Sequence, residues 1–228
     1  MTVGYEINDM AKEESWRIFR FIGEMVEGFD KLSGIEPAVT IYGSARIKPG
    51  DDLYEQTSVI ARRLGELGFS IITGGGPGVM EAANRGAREA GVTSVGLNIQ
   101  LPEEQTPNPY VTRSITFNHF FIRKVMLVKY AIAFIIMPGG LGTLDELTEV
   151  LTLMQTHKIK PFPVILFNSP FWEGFLAWVR TTVLAKGFIS EEEFNHLRVS
   201  DHPEEVVETV QKWYIKQEVV GRKALRRS

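Results

Sequence analysis

AIAFIIMPGGLGTLDE, residues 131–146, joins a strand-like run to a glycine-rich turn and the start of a helix. The seven apolar residues at 131–137 predict a buried parallel strand. Three glycines within 139–142 allow positive φ and let a ligand approach the main chain closely. From Leu144 onward, apolar residues recur at helical spacing, so the free N–H groups of that helix should face the turn. We therefore expect an anion, most simply a phosphate, to bind here.

Two other interpretations of this segment can be weighed from the residues alone. Thr143 and Glu146 have the spacing of a capping box, so they could serve only to begin the helix. That alternative stays open at the level of sequence. A Walker A loop is disfavoured because no Gly-Lys-Ser or Gly-Lys-Thr follows the glycines, and an NTPase of that kind needs the lysine.

Composition narrows the class of partner. The chain has 228 residues, 44% hydrophobic and 23% charged, with a net charge of -3, which fits a globular protein without a general nucleic-acid footprint. It has no cysteine, and its four histidines lack metal-ligand spacing, so we expect no metal. The first ten residues show no basic segment followed by an apolar one, so we expect no signal peptide, and residues 131–137 are too short to span a membrane. We expect a small-molecule ligand, no nucleic-acid or membrane partner, and a cytoplasmic location.

Strand and helix patterns alternate along the chain. Apolar runs predict strands at 38–42, 69–73, 93–98, 114–117, 131–137 and 163–167. Helical spacing predicts helices over 9–32, 53–67, 78–90, 118–126, 171–184 and 203–217, besides the one that follows Gly142. The alternation predicts an α/β fold, a Rossmann-like doubly wound parallel sheet flanked by helices, with an extra N-terminal helix.

Three segments follow from this pattern. Residues 1–36 are predicted to be an N-terminal helical extension, 37–218 a nucleotide-binding domain, and 219–228 a solvated basic tail. The helix at 9–32 has no partner in a standard βαβ unit, so it either covers the domain or packs on another subunit.

Two further glycine turns follow predicted strands. Gly43-Ser44 follows the first, and five residues at 74–78, four of them glycine, follow the second. A dinucleotide fingerprint would need glycine at position 79, which is Val79, so NAD and FAD are disfavoured and no cofactor is expected. Phosphate binding at 74–78 is favoured instead. The loop at 100–111, with three prolines, is a candidate lid over the same edge.

Charged residues cluster around the central turn. Asp145, Glu146 and Glu149 begin the helix, and Arg123 and Lys124 lie on the preceding one. A carboxylate that activates water, beside an arginine that can lie over a sugar or base, suits cleavage of a glycosidic bond. The alternative, that Arg123 and Lys124 are only a surface pair, stays open.

Arg123-Lys124 followed by PGGLGTLDE at 138–146 resembles the R-K … P-G-G-x-G-T-x-x-E signature of the LOG (Lonely Guy) family. These are phosphoribohydrolases that activate cytokinins and were long mislabelled as lysine decarboxylases. The resemblance covers about residues 38–190. It implies a Rossmann-like fold, a homodimer or larger assembly of dimers, and hydrolysis of a nucleoside 5′-monophosphate to free base and ribose 5-phosphate.

The resemblance also implies roles by position, with Glu146 and Arg123 catalytic and no metal or cofactor. The implied substrate-binding residues are Gly43, Ser44, Gly75, Gly76, Glu104, Lys124, Gly139, Gly140, Leu141, Gly142, Thr143 and Thr152. Among them, Gly140, Gly142 and Thr143 would hold the phosphate.

The chain departs from the short plant-type members of this family in the helix at 9–32 and in its second glycine turn. AMP and an isopentenyl-adenine nucleotide therefore both stay as substrates. The same fold resembles molybdenum-cofactor carriers, which bind an anionic pterin without turnover, but the presence of both Arg123 and Glu146 favours an enzyme. Lysine decarboxylation would need pyridoxal phosphate on a lysine, and the sequence singles none out.

Overall fold

One parallel sheet organises the computed structural model, which describes residues 14–101 and 106–225. Its strands are β1 (Ala38–Tyr42), β2 (Ser70–Thr73), β3 (Ser94–Ile99), β4 (Arg113–Phe117), β5 (Ala131–Ile136), β6 (Val164–Phe167) and β7 (Leu197–Ser200). Their order is β4-β3-β2-β1-β5-β6-β7, and every neighbouring pair is parallel. The chain therefore winds outward from β1 in both directions, which confirms the predicted doubly wound sheet.

Helices cover both faces of the sheet. They are α1 (Glu14–Leu32), α2 (Asp52–Glu66), α3 (Val79–Glu89), α4 (Phe120–Lys129), α5 (Leu141–Gln155), α6 (Ser169–Trp178), α7 (Glu191–Phe194) and α8 (Pro203–Leu225). A π-helical segment, Val179–Leu184, continues α6. Met126 of α4 and Leu147 of α5 belong to one buried cluster, and Leu64 of α2 and Val210 of α8 belong to the other. The sheet lies between two apolar layers, as its nearly continuous apolar strands require.

Helix α1 packs against its own domain. Phe21 and Met25 pack on the same buried cluster as Met126, and Arg113 donates to the carbonyl of Lys31 at 2.9 Å. The intramolecular cover foreseen for the helix at 9–32 is present from Glu14, while residues 9–13 lie outside the described residues. Its outer stripe, including Ile18, Ile22 and Val26, stays exposed.

The predicted elements are all present within the described ranges, with ends that differ by a few residues. The largest difference is α8, which continues to Leu225 whereas the pattern predicts an end at 217. Much of the segment predicted as a basic tail is thus helical backbone. Two elements, α7 and β7, are missing from the prediction. β7 is a four-residue edge strand with two exposed side chains, so it carries no apolar run.

No helix within residues 14–101 and 106–225 is long and apolar enough to cross a membrane.

Candidate active site

Three glycine turns meet where the winding of the sheet reverses, between β1 and β5. The N–H of Ser44, after β1, donates to the carbonyl of Pro138, after β5, at 3.0 Å. The carbonyl of Ser44 accepts from Val79 N–H at 2.9 Å, which links the turn after β2 to the other two. Ligands of doubly wound sheets bind at the carboxyl ends of the strands at this switch point. The predicted glycine turns are therefore neighbours at the expected position.

These glycines do two different things. At Gly43 a Cβ would lie 2.6 Å from Val79 Cγ2, and at Gly78, with φ +70, a Cβ would overlap the carbonyl of Ser44. Those two positions need glycine so that the turns can pack together. At Gly140 and Gly142 a Cβ would meet nothing within 4 Å. The start of α5 is thus open, with room for a ligand to approach its main chain.

The start of α5 decides between capping and ligand binding. Gly140 is its N-cap, and no side chain caps the helix. Thr143 is buried in the first turn, where a Cβ on Gly139 would overlap its Oγ1. The capping-box interpretation of Thr143 and Glu146 is wrong, because the helix begins at Leu141 and both residues lie inside it. Within residues 14–101 and 106–225, no side chain accepts a hydrogen bond from the first N–H groups of α5.

Arg123 faces Glu146 across this opening. Its Nη1 lies 3.9 Å from Glu146 Oε1, and the two side chains are 12% and 17% exposed. Its Nε donates to the carbonyl of Leu97 at 2.7 Å, which fixes the guanidinium. A Cβ on Gly74 would overlap Arg123 Nη2, so that glycine makes room for it. For Arg123 the surface-pair alternative is therefore wrong.

Lys124 pairs with the other two carboxylates. Its Nζ lies 3.0 Å from Asp145 Oδ2 and 3.3 Å from Glu149 Oε2. These two carboxylates share one face of α5, as their spacing predicts. Burial by itself would lower the pKa of Lys124, but the hydrogen bond that Lys124 donates to Asp145 and the charge of Glu149 leave this pKa raised. Lys124 is thus held as an ammonium ion, and Glu146 is the carboxylate left facing Arg123.

Burial gives Glu146 an unusual ionisation. Loss of solvent raises its pKa from 4.5 to about 7, and the nearby Arg123 charge only partly opposes this effect. The phenol of Tyr42, at the end of β1, is buried on the same side of the sheet, and burial followed by the charge of Glu146 raises its pKa. A carboxyl that titrates near neutral pH can accept or donate a proton during a reaction.

The remaining predicted site residues lie in the glycine turns and along α5, and one lies outside the described residues. Gly75 has φ +76, and its N–H donates to Thr73 Oγ1 at 3.0 Å. Leu141 is 85% exposed at the start of α5. Thr152 lies further along α5, where it lines a cavity of about 220 Å³ together with Phe175 and Trp178. Glu104 lies outside the described residues. The binding roles of these residues stay predictions.

Several residues near the site carry no sequence motif that could have identified them. Tyr42, Asn98 and Asn108 are of this kind, since each acts through a contact with a distant segment. Within the part of the chain that the structure describes, no group of three or more His, Cys, Asp or Glu side chains could hold a metal ion.

Comparison with known proteins gives a family match. The family described as "Possible lysine decarboxylase" matches residues 80–210, more than half of the chain. The rice protein named cytokinin riboside 5′-monophosphate phosphoribohydrolase LOG is 34% identical over 145 residues, covering 61% of this chain and 58% of that protein. The Escherichia coli K12 pyrimidine/purine nucleotide 5′-monophosphate nucleosidase is 33% identical over 135 residues, covering 51% of this chain and 29% of that protein.

A bacterial relative is matched over more of its length. The Mycobacterium marinum protein named cytokinin riboside 5′-monophosphate phosphoribohydrolase is 26% identical over 164 residues, covering 69% of this chain and 84% of that protein. For the rice and E. coli proteins, by contrast, the match spans less than two thirds of their length.

Solved structures share the fold. A protein solved as a structural genomics target has a TM-score of 0.59 and 24% identity, over 77% of this chain and 98% of that one. The Moco carrier protein of Chlamydomonas reinhardtii has a TM-score of 0.57 and 20% identity, over 79% of this chain and 98% of that one.

Proposed function

This chain belongs to the family described as possible lysine decarboxylases, and we propose that it hydrolyses the N-glycosidic bond of a nucleoside 5′-monophosphate. The products are the free base and ribose 5-phosphate, and the substrate is AMP or a cytokinin riboside 5′-monophosphate. The names of the rice, E. coli and M. marinum relatives support this reaction.

One observation carries the proposal: the buried carboxyl of Glu146, with a pKa of about 7, lies 3.9 Å from Arg123 beside the open start of α5. As a carboxylate it accepts a proton from the attacking water while the water oxygen bonds to C1′ and the bond from C1′ to the base breaks. Its negative charge stabilises the oxocarbenium-like sugar. Arg123 orients the sugar or the base and stabilises the electron density that moves onto the departing base. The base then takes up a proton, and Glu146 gives the proton it accepted back to solvent, so the free base forms and the carboxylate is restored.

The glycine turns supply the site for the phosphate. Gly140 and Gly142 leave the main chain open to a ligand, and the uncapped first turn of α5 offers N–H donors with the positive end of the helix dipole behind them. A phosphate held there places the ribose beside Glu146, whose position is one turn further along the same helix.

Two other functions are weaker. The fold shared with the Moco carrier protein fits a binding protein without turnover, but it offers no reason for a desolvated carboxyl beside an arginine. Decarboxylation of lysine through a Schiff base requires a lysine that can lose its proton. Lys124, which lies beside the site, is instead held as an ammonium ion by two carboxylates.

The location and the oligomeric state of the protein belong with this function. We place it in the cytoplasm as a homodimer or larger homo-oligomer. The exposed apolar stripe of Ile18, Ile22 and Val26 on α1 supports self-association.

The test is incubation of the purified protein with AMP, GMP, CMP, UMP and isopentenyladenosine 5′-monophosphate, followed by chromatography for free bases. We expect equal amounts of base and ribose 5-phosphate from at least one adenine nucleotide. Glu146→Gln, purified in parallel, controls for contaminating nucleosidases and should release base about 10²–10⁴-fold more slowly. A nucleotide that binds but is recovered intact would support the carrier function instead.

A further inference from the structure

Asn108, in the segment before β4, forms hydrogen bonds to the second glycine turn. The residue is buried, with 7% of its surface exposed. Its backbone N–H donates to the carbonyl of Gly75 at 3.0 Å, and its Nδ2 donates to the carbonyls of Gly75 at 3.1 Å and Gly76 at 3.0 Å. A single residue thus binds both consecutive carbonyls of the turn.

Asn108 is itself fixed by a buried polar network. Its Nδ2 also donates to Asn84 Oδ1 at 2.9 Å, and its Oδ1 accepts from Tyr110 N–H at 3.1 Å. Asn84 is fully buried, accepts from Thr73 Oγ1 at 2.7 Å and donates to Ser94 Oγ at 2.8 Å. Each of the two side-chain amides, of Asn84 and Asn108, donates through its nitrogen and accepts through its oxygen. Neither amide can therefore exchange the positions of its nitrogen and oxygen without breaking buried hydrogen bonds.

Only an amide of this length meets these demands. Nδ2 lies within hydrogen-bonding distance of three oxygens, so its two hydrogens are shared among them, while the neighbouring Oδ1 accepts an N–H. Serine or threonine would offer a single hydroxyl hydrogen, and aspartate would set a carboxylate against three oxygens. The side chain at position 108 therefore determines how the turn is oriented.

The hydrogen bonds from Asn108 also set the direction of one main-chain donor, the N–H of Gly76. In a planar trans peptide the N–H points opposite to the carbonyl, so holding the carbonyl of Gly75 inward turns the N–H of Gly76 outward. Within the described residues this N–H donates to no other group, and the next peptide, at Pro77, has none. With Gly75 at φ +76, the turn has the form of a main-chain concavity that binds anions.

We propose that Asn108 is a positioning residue for substrate: it orients the Gly75–Gly76 peptide so that Gly76 N–H donates to the phosphate of the nucleotide. The inference rests on the proposed function, since it takes a nucleoside monophosphate as the ligand. It assigns a role to a residue that does not itself touch the substrate.

The experiment compares Asn108→Ala with Thr112→Ala, both in the Glu146→Gln background so that no substrate is consumed. Thr112 is the matched control because its Oγ1 accepts from Ser94 N–H at 2.9 Å and donates to the Ser94 carbonyl at 3.1 Å. It ties the same segment to β3 without contacting the glycine turn. Titration calorimetry measures the Kd of AMP and of adenosine, and melting temperatures are recorded for each variant.

We expect Asn108→Ala to raise the Kd of AMP about tenfold or more while the Kd of adenosine changes less than about twofold. Thr112→Ala should leave both within about twofold. Equal losses for AMP and adenosine, or no loss for either, would overturn the positioning role and leave a structural one. Asn108→Ser keeps one donor and should give a smaller loss with the same selectivity, so the comparison survives if the alanine variant does not fold.

The outcomes separate this inference from the proposed function. If the parent protein hydrolyses AMP but Asn108→Ala weakens AMP and adenosine binding equally, the positioning role is wrong and the proposed function stands. Selective loss of AMP binding in a protein that never releases adenine keeps the inference and removes the hydrolase. A parent protein that does not bind AMP contradicts both.

Discussion

Glu146 is the residue on which the proposed chemistry depends. Replacement by glutamine keeps the size and hydrogen-bonding capacity of the side chain but removes the group that accepts a proton. We predict that Glu146→Gln lowers kcat by about 10²–10⁴-fold without lowering the melting temperature. Steady-state kinetics and thermal unfolding on the same preparation check this. A folded glutamine variant with normal kcat would remove Glu146 from the mechanism.

The same carboxyl makes stability depend on pH. Its pKa is about 7 in the folded protein against 4.5 ordinarily, so between those values the folded state keeps a proton that the unfolded state has lost. Stability should therefore fall as pH rises from about 4.5 to 7, by a free energy on the order of 3 kcal/mol for this one group. Glu146→Gln should be more stable than the parent at pH 8 and nearly equal at pH 4.5. Urea unfolding at both values tests this, and a pH-independent difference would contradict the ionisation assigned to Glu146.

Arg123 acts through two separate nitrogens. Its Nε donates to the carbonyl of Leu97, and its Nη1 faces Glu146. We predict that Arg123→Ala lowers kcat far more than it weakens binding of ribose 5-phosphate, because the arginine acts on the sugar or base at the transition state. Arg123→Lys should not restore kcat, since one ammonium cannot occupy both positions. An alanine variant with unchanged kcat and only a raised KM would make Arg123 a binding residue.

At the scale of elements, the start of α5 combines poor helix propensity with an open surface. Gly142→Ala should stabilise the protein by about 0.5–1 kcal/mol, because alanine favours the helix and its Cβ meets no atom within 4 Å. The same methyl group occupies the space proposed for the phosphate, so KM for AMP should rise. Gly142→Ala should thus raise the free energy of unfolding while it weakens the apparent binding of AMP.

Gly23→Ala on α1 is the control for that change, since its Cβ also meets nothing within 4 Å and it lies within a helix far along the chain from the glycine turns. It should raise stability without changing KM. A Gly142→Ala variant with the KM of the parent would mean that the phosphate does not approach this turn.

Sequence patterns predict elements well where burial is continuous. The runs that form β1 and β5 are buried almost throughout, so their apolar residues mark them directly. Strand β7 cannot be predicted in this way because an edge strand needs few apolar residues. Spacing alone also suggests a capping box at Thr143 and Glu146, because it cannot tell which residue begins a helix. The anchor of Arg123 on Leu97 joins positions 26 residues apart, and no local pattern encodes it.

At the scale of the whole molecule, strand order creates the site. Because β1 lies between β2 and β5, three turns that are far apart in sequence meet at one edge. The glycine pattern predicts each of these turns after its strand, and the strand order brings them together. The buried network of Thr73, Asn84 and Asn108 could not be predicted in the same way. It depends on polar side chains from three segments that only the completed fold brings into contact.

The most direct test of the central claim, that these turns bind the phosphate which places the ribose beside Glu146, is a comparison of kcat/KM for AMP and adenosine. Two or three charge-assisted hydrogen bonds should favour AMP by at least about 100-fold. Both kcat and KM should contribute, because binding energy from the phosphate positions the reacting bond. Near-equal kcat/KM values for AMP and adenosine would contradict the account.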